Sequence, residues 1–104
     1  MTNKRLQQLI AFRETEPDDP FLKYAIALEH IAMKEPETAL PWFQDLVANH
    51  PDYVPTYYQM GKLLWEMGNS SESLLILEKG IEVAGKAGNK HAVAELKELM
   101  EDWG

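Results

Sequence analysis

Ala27 and Gly61 are small residues 34 positions apart, and each sits inside the same order of residue types, written twice along the chain. The later copy reads Tyr57-x-x-Met60-Gly61-x-x-Leu64 and then Ser73-x-x-x-Leu77. The earlier copy reads Lys23-x-x-Ile26-Ala27-x-x-His30 and then Ala39-x-x-x-Phe43. Pro17 with Pro51 and Asp18 with Asp52 keep the same interval. Recurrence on this scale marks stacked copies of one supersecondary unit, each too small to bury its own apolar face. A small residue on each half of the unit has a steric reason: helices crossing at close range leave no room there for a large side chain.

Punctuation along the chain predicts about six helices. Leu6, Leu9, Ile10 and Phe12 form a short amphipathic pattern that stops at Thr15-Glu16-Pro17-Asp18-Asp19-Pro20, because proline disfavours helical geometry just before it yet suits a first turn. A second helix is expected over residues 21–33, turned by Lys34-Glu35-Pro36, and a third over 37–49, closed by His50-Pro51-Asp52. A fourth is expected over 55–67. Gly68 should take a left-handed closing conformation, and Asn69 or Ser70 should cap the fifth helix with Glu72 completing a reciprocal capping box. That fifth helix is expected to reach about Ala84, with Gly85-Lys86-Ala87-Gly88-Asn89 breaking it before the last stretch, Lys90 to Trp103. Short connections make neighbouring helices antiparallel.

The order of residues in the later copy resembles the tetratricopeptide repeat, in which an aromatic, an aliphatic, a small and a large residue on one helix precede a small and a large one on the next, with a period of 34. Leu64 and Leu77 stand where that family favours aromatics, Ser73 stands for an alanine, Gly85 stands where the closing proline is expected, and Lys23 and His30 replace bulky apolar groups. The resemblance implies an all-α, right-handed α-solenoid of antiparallel helix pairs covering nearly the whole chain as a single domain. Its parts would be an N-terminal flanking helix at 1–16, repeat one at 20–53, repeat two at 54–87 and a C-terminal capping helix at 88–104. In that last helix Glu95 and Glu98 fall at the in-phase positions of Gly61 and Leu64, as suits a terminal repeat that faces water.

Composition narrows the function. With 45% hydrophobic and 26% charged residues the chain is too apolar for disorder, and no window approaches the roughly 18 apolar residues of a membrane span. The opening Met1-Thr2-Asn3-Lys4-Arg5-Leu6 lacks a secretory pattern, so a cytoplasmic location is expected. There is no cysteine, hence no disulfide, thiolate metal site or thiol nucleophile. Ten basic against seventeen acidic residues give a formal charge of −7, which repels nucleic acid and anionic membranes and favours a basic partner.

The resemblance implies a non-catalytic interaction module that takes a protein or peptide ligand in a concave groove lined by the first helix of each unit. By phase, Tyr24, Leu28 and Ile31 share one face, and Tyr58, Lys62 and Trp65 share the next. Aromatic rows suit binding, since they bury much area for little lost freedom. A further step gives Ala92, Leu96 and Leu99, and the stripe ending in Met100 and Trp103 reads either as a docked cap that makes Trp65 core or as a self-association surface, so a homo-oligomer is the alternative. Lys62 is the only cation on this face, which does not support a grip on two carboxylates. No catalytic, metal or cofactor set is expected. His30, His50 and His91 lack helical metal-site spacing, and the carboxylates at 18, 19, 35 and 37 are explained by helix N-termini.

Overall fold

Proline and short polar residues set the helix starts. The computed structural model describes residues 3–103, so the outermost residues of the two flanking segments, Met1, Thr2 and Gly104, lie outside the described residues. Among the described residues all regular structure is helical: α1 (Lys4–Thr15), α2 (Pro20–Ala32), α3 (Pro36–Asn49), α4 (Pro55–Glu66), α5 (Ser70–Lys86) and α6 (Lys90–Trp103). Asn3 accepts from the Leu6 amide at 3.1 Å and Asp19 from the Phe21 amide at 2.9 Å, each satisfying an orphan donor at a helix start. Pro20, Pro36 and Pro55 open their helices where a missing N–H costs nothing. The chain divides into two compact units, Met1–His50 and Pro51–Gly104.

In the first unit α2 and α3 pair through Ile26, Ala27, Ala39, Phe43 and Leu46, all fully buried. Leu22, Ala25 and Ile26 of α2 also join Leu9 of α1, with Leu6 and Trp42 of α3 against the cluster. The Arg13 guanidinium lies 5.1 Å from the centre of the Trp42 ring, close enough for cation–π attraction. Lys23, a residue out of keeping with the repeat pattern, is buried and reaches the Asp45 carboxylate at 2.8 Å. His30 faces a polar neighbour, with its Nδ1 3.0 Å from Glu35 Oε1. Pro41 stands inside α3 on its exposed side, where it removes one helical N–H bond.

In the second unit α4 and α5 pair through Tyr57, Met60, Gly61 and Leu64 against Ser73, Leu77, Gly80 and Ala84, all buried. A Cβ on Gly61 would come within 2.7 Å of Leu77 Cγ, so the crossing admits no side chain there. A Cβ on Gly80 would come within 2.9 Å of Tyr57 Cγ and 3.1 Å of Leu96 Cδ1, which places Gly80 where α4, α5 and α6 meet. Asn89 Oδ1 accepts from the Ala92 amide at 3.0 Å and opens α6.

The intra-repeat turns are the same structure 34 residues apart. Lys34 N–H bonds to Ile31 O and Glu35 N–H to His30 O, both at 2.9 Å; Gly68 N–H bonds to Trp65 O at 3.1 Å and Asn69 N–H to Leu64 O at 2.9 Å. The left-handed residue is Gly68 (φ 87°) in one and Lys34 (φ 59°) in the other.

Two local expectations change. Asn69 begins α5 without a side-chain capping bond, so the box with Glu72 does not form; its backbone carbonyl instead takes the Ser73 amide. Gly85 is helical, and α5 runs on to Lys86 before Gly88 (φ 72°) closes it, because a glycine facing open space has no need to end a helix.

Candidate functional site

The two helices that open the repeats each bury one face and keep another partly open. On α2, Ile26 and Ala27 are fully buried while Tyr24, Leu28 and Ile31 are half-buried. On α4, Gly61 and Leu64 are buried while Tyr58 and Trp65 are half-buried and Lys62 is exposed. Tyr24 leans edge-on against Phe43, with ring centres 6.4 Å apart and planes at 65°, so the core ring of α3 supports its orientation.

In the second unit the C-terminal helix meets this stripe. The Trp103 ring lies on the Trp65 ring with centroids 4.6 Å apart and planes 6° apart. Of the alternatives open from the sequence, a cap on α4 is therefore the one present at Trp65, and the ring keeps partial exposure beside it. Leu96 does not extend the row of groove positions. It is core, 1% exposed, because it fills the space beside Gly80.

Beside the stack, Tyr58 and Leu99 with Glu95, Glu98 and Asp102 line a hollow of about 170 Å³. These carboxylates as a lining were not singled out in the sequence. Their spacing of three and four along α6 is the signal that places them on one face. Among the described residues neither Glu98 nor Asp102 has a lysine or arginine at ion-pair distance, and Glu95 is paired with His91.

Elsewhere two titratable groups are shifted by their surroundings. Lys23, hydrogen-bonded to Asp45, holds that carboxyl below its ordinary value of 3.8, against the opposing effect of partial burial. Burial pushes the Tyr57 phenol above 10.0, helped by the nearby Asp52, and its hydroxyl donates to the Pro51 carbonyl. Among the described residues no three His, Asp or Glu side chains gather as a metal ion would require. No described helix is long and apolar enough to cross a membrane.

No family model matches the sequence, and no curated protein matches it. Solved structures do. A tetratricopeptide repeat domain protein from Salinibacter ruber, solved in solution, is 38% identical over 80% of this chain and 84% of its own, with a TM-score of 0.77. A crystal structure of a tetratricopeptide repeat domain protein from the same organism is also 38% identical, covering 78% of this chain and 90% of its own, with a TM-score of 0.75. A protein from Bordetella parapertussis shares the fold at 20% identity, 98% and 88% coverage and a TM-score of 0.82.

A period of 34 residues, paired helices with small residues at their crossing, and this likeness define a helical-repeat protein of the solenoid class. The chain belongs to the tetratricopeptide repeat family. Proteins of this fold are in general interaction modules and typically non-catalytic.

Proposed function

We infer that the chain is a non-catalytic cytoplasmic module that binds a peptide or partner segment through the stripe Tyr58, Lys62 and Trp65 of α4, with Tyr24, Leu28 and Ile31 as the equivalent stripe of α2. The observation that supports this is the matched pair of half-open faces. In both repeats the same phase of the first helix is left partly exposed, bears a tyrosine, and lies opposite a face that is fully buried. The aromatic rings supply contact area, and Lys62 orients a carbonyl or acidic group of the ligand. The test is affinity capture from the native cell extract with the chain and its Trp65→Ala and Tyr58→Ala variants, followed by measured dissociation constants for the partner recovered. Both variants should stay helical and bind more weakly. Unchanged affinity in both would remove the α4 stripe from the site.

Phe12 and Phe21 in the first unit, 61% and 57% exposed, favour self-association as a second reading. Sedimentation across a concentration series separates the two, since only a stable dimer supports it.

A further inference from the structure

The Trp65 ring assigned above to a partner already carries a ring from its own chain, stacked at 4.6 Å. The helix that delivers that ring is least secure at the point of delivery. The last turn of α6 has no basic residue. Glu101 and Asp102 stand there instead, against the negative end of the helix dipole. Glu98 and Asp102, four residues apart, add like-charge repulsion on one face. Leu96 is the buried residue of α6, and Trp103 lies about two turns beyond it. The stack thus holds down a helix end that its own charges loosen.

The same charges say what would replace it. The hollow beside the stack has Tyr58 and Leu99 as apolar walls and Glu95, Glu98 and Asp102 as anionic ones; among the described residues none of the three carboxylates has a lysine or arginine partner, and Glu95 is paired with His91. Resting on the reading of α4 as the binding stripe, we propose that Trp103 is an internal stand-in for a ligand side chain. It closes over Trp65 in the free protein and gives way to an aromatic residue of a partner segment whose neighbouring lysines or arginines sit against Glu95, Glu98 and Asp102. Exchange of one aromatic ring for another on Trp65 is near balance, and the cations tip it. Because the closed form competes with the ligand, apparent affinity is the intrinsic affinity multiplied by the open fraction. An aromatic stack of this kind favours closure by a factor of roughly 2 to 13.

The probe is the end-blocked peptide Lys-Lys-Trp-Lys-Lys, with Glu-Glu-Trp-Glu-Glu as its charge-reversed control, titrated into the isotope-labelled chain and read at the indole N–H resonances. The lysine peptide should move the Trp65 and Trp103 signals and should bind Trp103→Ala more tightly than wild type by roughly 3- to 14-fold. Trp103→Phe should lie between, and the glutamate peptide should bind neither. In wild type the magnetisation-transfer contacts between the Trp65 and Trp103 rings should be lost as the lysine peptide saturates; this readout needs no variant to fold. Equal or weaker binding by a helical Trp103→Ala, ring contacts between Trp65 and Trp103 that persist at saturation, or a lysine peptide that binds neither protein overturns the proposal and leaves the α4 stripe standing. Full-strength binding by Trp65→Ala removes the stripe itself, and the stand-in with it.

Discussion

Ser73 donates its hydroxyl hydrogen to the carbonyl oxygen of Gly61 at 2.6 Å, so the two small residues of the second repeat are joined by a bond as well as by their lack of bulk. Leu77, one turn along α5, occupies the space a Gly61 side chain would need and is itself fully buried. Gly61→Leu should therefore destabilise the chain by roughly 1–3 kcal/mol through overpacking. Gly61→Ala should cost less, because the gain in helix propensity of about 1 kcal/mol offsets part of the strain. Ser73→Ala should cost about 0.5–1.5 kcal/mol, the net worth of one hydrogen bond. Ala39 shows that alanine fits the corresponding place in the first repeat. Urea unfolding of the three variants gives the order directly.

Lys23 and Asp45 predict an asymmetry. The lysine is buried, with 6% of its side chain exposed, whereas the carboxylate keeps 35% of its surface in water. Asp45→Asn strands a buried cation and should cost ~1–3 kcal/mol, a range reduced from that of a fully buried pair because Asp45 is partly solvated. Lys23→Met leaves a carboxylate that water can serve and should cost less. Since the folded state lowers the Asp45 pKa, its contribution is present above the ordinary value of 3.8 and is lost as pH falls through the folded value. Stability measured from pH 6 down to pH 2 should drop more steeply in wild type than in Asp45→Asn.

Tyr57 predicts the opposite limb. Burial raises its pKa above 10.0, so the neutral phenol stabilises the fold below pH 10, and this contribution is lost as pH rises through the folded value. Tyr57→Phe gives up the bond to the Pro51 carbonyl and should be less stable by about 1 kcal/mol at pH 7. The alkaline decline between pH 9 and pH 11.5 should be shallower in the variant. Parallel declines would show that the Tyr57 phenol has no part in it.

The interval of 34 made the helices, their pairing and the small residues at the crossings legible, because propensity, punctuation and side-chain bulk act within one repeat. Contacts that depend on rotation or sliding of a helix were not legible. Lys23 read as a misfit until α3 turned Asp45 toward it. One interval on from Trp65 is Leu99, yet the ring that stacks is Trp103, one turn further along α6. Leu96 likewise left the groove row for the core beside Gly80. The candidate binding stripe was visible as a phase, and its cover depended on how far α6 lies along α4.

The turns at Lys34 and Gly68 carry the same pair of backbone bonds, but only one has the residue suited to it. At φ 59° the Cβ of Lys34 crowds the following carbonyl, whereas glycine at φ 87° has no Cβ to crowd. Lys34→Gly should raise stability by about 0.5–1 kcal/mol, the relief of the left-handed strain exceeding the entropy that glycine adds to the unfolded chain. Gly68→Ala, which has open space around its Cβ and meets no clash, should lower stability by about 1 kcal/mol from backbone strain alone. Opposite signs in urea unfolding at the two equivalent positions would confirm that the repeat extends to backbone conformation. A loss of stability in Lys34→Gly would show that the lysine side chain makes a contribution larger than the strain.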